Sequence, residues 1–213
     1  MKKNFFITFE GGEGTGKSTQ ARLLADFLEK EGASCILTRE PGGSEGAEEI
    51  RDLVVKGSVA RWDVMTEALL MFAARRDHLV KTIFPALKEG KTVICDRFAD
   101  STMAYQGFGY ADSGLGQETV EKLYDIVVGK FKPDLTIILD MPVEAGVARA
   151  LQRDKDVNRY EKMGLDFHRN LRNAFLEIEK KEPERCIVID ANRTIEEISA
   201  DVISAVRSRL LKA

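Results

Sequence analysis

No stretch of 18 consecutive apolar residues occurs in the 213-residue chain, so a membrane-spanning helix is not expected. Three cysteines, Cys35, Cys95 and Cys186, are scattered with no CxxC or Cys/His cluster. That spacing argues against a disulfide framework and against a structural zinc site, and it fits a reducing cytoplasm. The two histidines, His78 and His168, lack metal-ligand spacing and are expected on helix faces without a catalytic role. Excess charge is also missing. The 32 basic and 35 acidic residues leave a net charge of −3, so no broad nucleic-acid footprint is expected. A small anionic ligand remains possible, because it responds to local charge.

What is present is a regular alternation of short apolar runs and amphipathic stretches. Phe5–Glu10, Ser34–Arg39, Thr92–Asp96, Leu135–Asp140 and Arg185–Asp190 read as strands. Helical spacing is expected over Lys17–Glu31, Glu45–Lys56, Val64–Leu87, Gln117–Gly129, Val143–Gln152, Gly164–Lys181 and Thr194–Leu211, with a short helix at Ser101–Gln106. Five apolar strands separated by helices imply an α/β fold: a parallel sheet with helices on both faces. Ligands of such sheets bind at the carboxyl ends of the strands. Here those ends are Glu10, Arg39, Asp96, Asp140 and Asp190, all charged.

Gly11-Gly12-Glu13-Gly14-Thr15-Gly16-Lys17-Ser18 matches G-x-x-x-x-G-K-[ST] between a strand and a helix, the setting that a phosphate-binding P-loop requires. Its backbone N–H groups and the helix N-terminus can surround a phosphate. Lys17 is expected at the β- and γ-phosphates and Ser18 on Mg²⁺, with Thr19 completing the ATP-binding segment. The base-reading N-K-x-D of signalling GTPases is absent. Arginines recur instead outside the loop, as phosphoryl transfer between two anionic nucleotides would need.

Several segments together resemble the bacterial thymidylate kinases over nearly the whole chain. They are Phe9–Thr19, Thr38–Gly43 (TREPGG), Met71–Arg76 (MFAARR), Asp96-Arg97-Phe98 with Ser101-Thr102 and Ala104–Gly107, and Pro133–Asp140. The resemblance implies one P-loop kinase domain over 1–213 with a short lid at about 149–160. It implies ATP–Mg²⁺ and thymidine monophosphate (dTMP) as substrates, a cytoplasmic homodimer, and no nucleic-acid or membrane partner. Phe72 and Arg76 are four apart on one helix; in the resemblance Phe72 stacks on thymine and Arg76 donates to its O4. Thr102 and Gln106 would face the base edge beside Ser101, and Tyr105 would press on the deoxyribose. Glu13 would meet the 3′-hydroxyl. Arg97 and Arg39 would hold the acceptor phosphate, and Asp96 would support Mg²⁺ with Ser18. The Glu40–Pro41 bond would be cis. The phosphate loop holds no arginine whereas the lid holds Arg149, Arg153 and Arg159. The resemblance therefore places the catalytic arginine in the lid, with Arg153 on the transferred phosphate and Arg149 on the adenine side. Asn158 stands where the family's D-R-[IFY]-E pattern has aspartate. Two rivals stay open: a kinase for another nucleoside monophosphate or a deoxynucleoside, and a nucleotide-dependent switch protein.

Overall fold

The computed structural model of the chain describes residues 4–153 and 159–210, without the side chain of Arg153. Five parallel strands form one sheet: β1 (Phe6–Gly11), β2 (Cys35–Arg39), β3 (Thr92–Asp96), β4 (Leu135–Asp140) and β5 (Cys186–Asp190), in the order β2-β3-β1-β4-β5. The strands are apolar at nearly every position because both faces are covered. Alternation then sorts the side chains between two layers. Ile7, Phe9, Ile94, Ile137 and Leu139 meet helices α1 (Lys17–Lys30) and α9 (Ile195–Arg209). Phe6, Val93 and Cys95 point the other way, toward α3 (Val64–His78) and α6 (Gly116–Val127). Ile138 and Cys186 pack against α8 (Leu165–Lys181). Each large aliphatic side chain so buried contributes about 1.5–3 kcal/mol.

Helix starts follow local chemistry. The Asp63 carboxylate accepts from Met65 N at 3.0 Å and Thr66 N at 3.1 Å, capping α3. Thr194 and Glu197 form a reciprocal capping box at the start of α9. α2 (Glu45–Val55) packs against α3.

Two helices differ from expectation. The long Val64–Leu87 helix becomes π-helical over Leu79–Ile83 and resumes as α4 (Phe84–Lys88). Pro85 offers no N–H to the preceding turn, so one α-helical bond there cannot form. After β3 the chain forms α5 (Ala99–Thr102) and then a π-helical stretch, Met103–Gly109, so the helical region starts earlier and runs further than the expected Ser101–Gln106. α7 (Val143–Arg153) follows β4. Cys35, Cys95 and Cys186 are free thiols. No helix among the described residues is long and apolar enough to cross a membrane.

Candidate active site

β1 and β3 lie side by side at the middle of the sheet, so their carboxyl ends open into one region. The loop after β1 turns there into α1. Gly14 has φ +72° and sits against α7, where a Cβ would fall 2.0 Å from the Gly146 carbonyl oxygen. Gly14→Ala therefore combines a left-handed backbone cost of roughly 1–2 kcal/mol with a backbone clash. A melting temperature lower by at least about 4 °C is expected, with ATP bound about tenfold more weakly. Thermal scanning and calorimetric ATP titration check this.

Lys17 Nζ donates to the Gly12 carbonyl at 2.6 Å and lies 3.3 Å from Thr15 Oγ1. Burial and the neighbouring Arg97 pull its ammonium down to about 8, against the opposing pull of Glu13, Asp96 and Glu10. Ser18 Oγ donates to Asp96 Oδ2. A hydroxyl and a carboxylate at the mouth of a phosphate loop are hard oxygen donors, which fits Mg²⁺ sharing its shell with phosphate and water.

Arg97, just past β3, takes φ 71°, a region uncommon for a side-chain-bearing residue. Its guanidinium donates to Gly11 O at 3.0 Å, to Ser101 Oγ at 3.1 Å and to Glu13 at 3.0 Å. Tyr105 donates its hydroxyl to the same Glu13 oxygen at 2.5 Å. Burial by itself would raise the Glu13 carboxyl; Arg97, Lys17 and the Tyr105 hydroxyl outweigh it and hold the group at about 2. Glu10 sits beneath, accepting from Phe98 N at 2.7 Å and Ser101 Oγ at 2.6 Å. Burial first, then Asp100, pushes its carboxyl up to about 8.

These residues line a cleft of about 620 Å³. Of the residues singled out from the sequence, Glu13, Gly14, Gly16, Lys17, Ser18, Arg39, Asp96, Arg97, Ser101, Thr102, Tyr105 and Gln106 border it. Gly11, Gly12 and Thr15, on the same loop, border a smaller hollow beside β4. A larger cavity of about 860 Å³ lies between α6 and α8 and touches no phosphate-loop residue. The chemistry belongs to the smaller cleft. Thr19 is exposed on α1 and does not line it. Arg39 pairs with Glu48 at 2.9 Å at the rim, and the Glu40–Pro41 bond is cis.

The helix-face assignment on α3 needs correction. Phe72 is 2% exposed and packs in the core with Phe6 and Phe98, not in the cleft. Arg76 shares that face, and it points away from the cleft to donate to the Val127 carbonyl on α6. The cleft face carries Met71 and Arg75 instead. One residue is about 100° of helix rotation, so adjacent arginines face different neighbours. Arg75 is buried, with Nε on Glu40 at 2.8 Å and Nη2 on Thr102 Oγ1 at 3.1 Å, and its guanidinium lies over the Phe72 ring at 4.9 Å.

Both histidines are on helices, as expected, but both point inward. His78 bridges Glu40 (3.0 Å) and Thr38 (2.7 Å), which makes it part of the Arg75 support. His168 is buried near the phosphate loop. Sequence reasoning passed over Glu40, Arg51, Glu67, Arg75 and Tyr160. Glu40 and Arg75 stood inside the quoted motifs, and Glu67 had no signal beyond a charge on an otherwise apolar turn. Of the lid arginines, Arg149 donates to the Ala191 carbonyl at 3.3 Å. Arg159 is 1% exposed and committed to Glu67 and to the Val54 and Val59 carbonyls, so it is not a free charge. The Arg153 side chain and residues 154–158 lie outside the described residues.

A P-loop at the end of a central parallel strand, sharing its cleft with Arg39, Arg51, Arg75 and Arg97, defines a nucleotide kinase. Residues 9–202 match the family model described as thymidylate kinase. The chain is 50% identical over 210 residues to a thymidylate kinase of Caulobacter vibrioides, covering 99% of both chains. It is 51% identical over 198 residues to one of Dinoroseobacter shibae, covering 93% of this chain and 94% of that one. The crystal structure of thymidylate kinase from Ehrlichia chaffeensis superposes with a TM-score of 0.74 at 36% identity, covering 95% of this chain and 98% of that one. The chain belongs to the thymidylate kinase family.

Proposed function

We propose that the cleft transfers the γ-phosphoryl group of ATP to dTMP, giving ADP and dTDP, with the base read by Arg75 and Gln106. One observation carries the base reading. Arg75 Nη1 and Gln106 Oε1 are both buried without a hydrogen-bond partner, and both residues line the cleft. Leaving such groups unpaired is costly, so a ligand edge is the natural partner. Thymine offers O4 as acceptor beside N3–H as donor, which complements this donor and acceptor pair.

Thr102 and Ser101 complete the base side. Glu13 and Tyr105 take the deoxyribose, and Arg97 with Arg39 takes the acceptor phosphate. On the donor side the loop amides and Lys17 hold the ATP phosphates, and Arg149 lies on the adenine side. Arg153 is assigned to the transferred phosphate as the lid arginine. Mg²⁺, held by Ser18 and supported by Asp96, would neutralise charge on the β- and γ-phosphates. The acceptor is already a phosphate anion, so no strong general base is needed. Positioning and charge stabilisation carry the rate. The family resemblance supports a single kinase domain with a lid at about 149–160, acting as a cytoplasmic homodimer.

A coupled ADP-release assay across dTMP, dUMP, UMP and thymidine tests the reading. The highest kcat/KM is expected for dTMP, with none for thymidine. A faster reaction with another acceptor, or ATP hydrolysis independent of any acceptor, would overturn it.

A further inference from the structure

Gln106 can act as a reader of N3–H only if its carbonyl oxygen, and not its NH₂, faces the base. An amide side chain is nearly symmetric in shape, so something must choose its orientation. Around this amide the choice lies with Glu67 on α3. Glu67 is fully buried. Its Oε2 accepts from Gln106 Nε2 at 3.2 Å and from the Tyr160 hydroxyl at 3.1 Å. Tyr110 donates to both carboxylate oxygens, at 3.1 and 3.0 Å, and the Arg159 guanidinium pairs with Oε1. The same Nε2 lies 3.3 Å from the Tyr160 oxygen, which also receives the Arg159 guanidinium at 2.9 Å. Gln106 thus meets a carboxylate on one side, and a carboxylate cannot donate. Reversing the amide would set its carbonyl oxygen against that charge in a buried site, where opposed lone pairs are most costly.

We infer that Glu67 is a specificity-determining positioning residue: by holding the Gln106 NH₂ it presents Oε1 to the acceptor base and selects a pyrimidine with a proton on N3 over one with a lone pair there. This inference rests on the thymidylate reading above. Cytosine is the discriminating case, because its N3 is an acceptor and would face Oε1 lone pair to lone pair. Arg159 and Tyr160 hold Glu67 in turn, so a reader on one segment takes its orientation from two others.

The test is Glu67→Gln in the full chain, alone and combined with Gln106→Leu, with kcat/KM measured for dTMP and dCMP. A neutral amide at position 67 can donate or accept, so the Gln106 amide becomes free to turn. The dTMP-to-dCMP ratio of the Glu67→Gln variant is expected to fall at least about tenfold. In the Gln106→Leu background the same substitution should change the ratio no further. An unchanged ratio in a folded Glu67→Gln variant, or independent multiplication of the two effects, overturns the inference. Should that variant not fold, the unmodified protein still decides. Its ¹⁵N side-chain amide resonance, assigned by its loss in Gln106→Leu, should show proton contacts to the Tyr160 ring and none to the base of bound dTMP. Contacts to the base overturn the inference. If the unmodified protein phosphorylates dTMP while the ratio is insensitive to Glu67, the inference alone fails; if it does not phosphorylate dTMP, both fail.

Discussion

Arg97→Met is expected to lower turnover with ATP and dTMP by about 10²–10³-fold, the usual cost of one electrostatic stabiliser at a reacting centre. Arg97 leaves β3 beside the phosphate loop and touches Gly11, Ser101 and Glu13 at once. Its guanidinium also lies over the Tyr105 ring at 5.1 Å. Among the described residues, no other side chain ties the segment after β3 to the phosphate loop through so many partners at hydrogen-bond distance. Removing it leaves Glu13 without its strongest counter-charge, and burial then drives that carboxyl upward from about 2. In the proposed reading, the variant loses the charge assigned to the acceptor phosphate and blurs the assigned sugar contact together. Arg97→Lys keeps the charge but not the planar fork, so it should recover only part of the rate. Steady-state kinetics over a dTMP titration, with melting temperatures alongside, provide the check. A loss under about tenfold in Arg97→Met would remove Arg97 from the catalytic group.

The second large effect separates two adjacent arginines. Arg75→Met should lower kcat/KM for dTMP by about 10²-fold, since a buried hydrogen bond from a charged donor is worth up to about 3 kcal/mol. Arg76→Met should change it by no more than about threefold, as expected of an exposed residue reaching a carbonyl. Arg75→Met also removes the guanidinium partner of the buried Glu40, leaving it the His78 contact, and breaking a buried pair costs about 3–5 kcal/mol of stability. Kinetics must therefore be read on the folded fraction, with thymidylate binding measured separately by calorimetry. The reverse pattern, a large loss in Arg76→Met and a small one in Arg75→Met, would restore the assignment suggested by four-residue spacing from Phe72.

That spacing shows why part of the site was hidden in the sequence. Phe72 and Arg76 do share one helix face, as periodicity requires. Periodicity cannot say what the face meets, and here it meets the core and α6. The phosphate loop was legible because its function resides in its backbone: glycine positions, a lysine and a hydroxyl at fixed offsets encode it locally. Arg97, Ser101, Thr102, Tyr105 and Gln106 were legible because they follow one strand end within a single short segment. Glu67 was not, because its partners come from Gln106, Tyr110, Arg159 and Tyr160 on other segments.

The sequence by itself determined the alternating strands and helices, the parallel sheet and the phosphate loop, all of which arise from local pattern and backbone geometry. Only the tertiary structure decided which arginine of a neighbouring pair enters the cleft, which histidine supports it, and which buried carboxylate holds the Gln106 amide. Those choices depend on helix rotation and on hydrogen bonds between residues far apart in the chain. Such contacts exist only once the layers have packed.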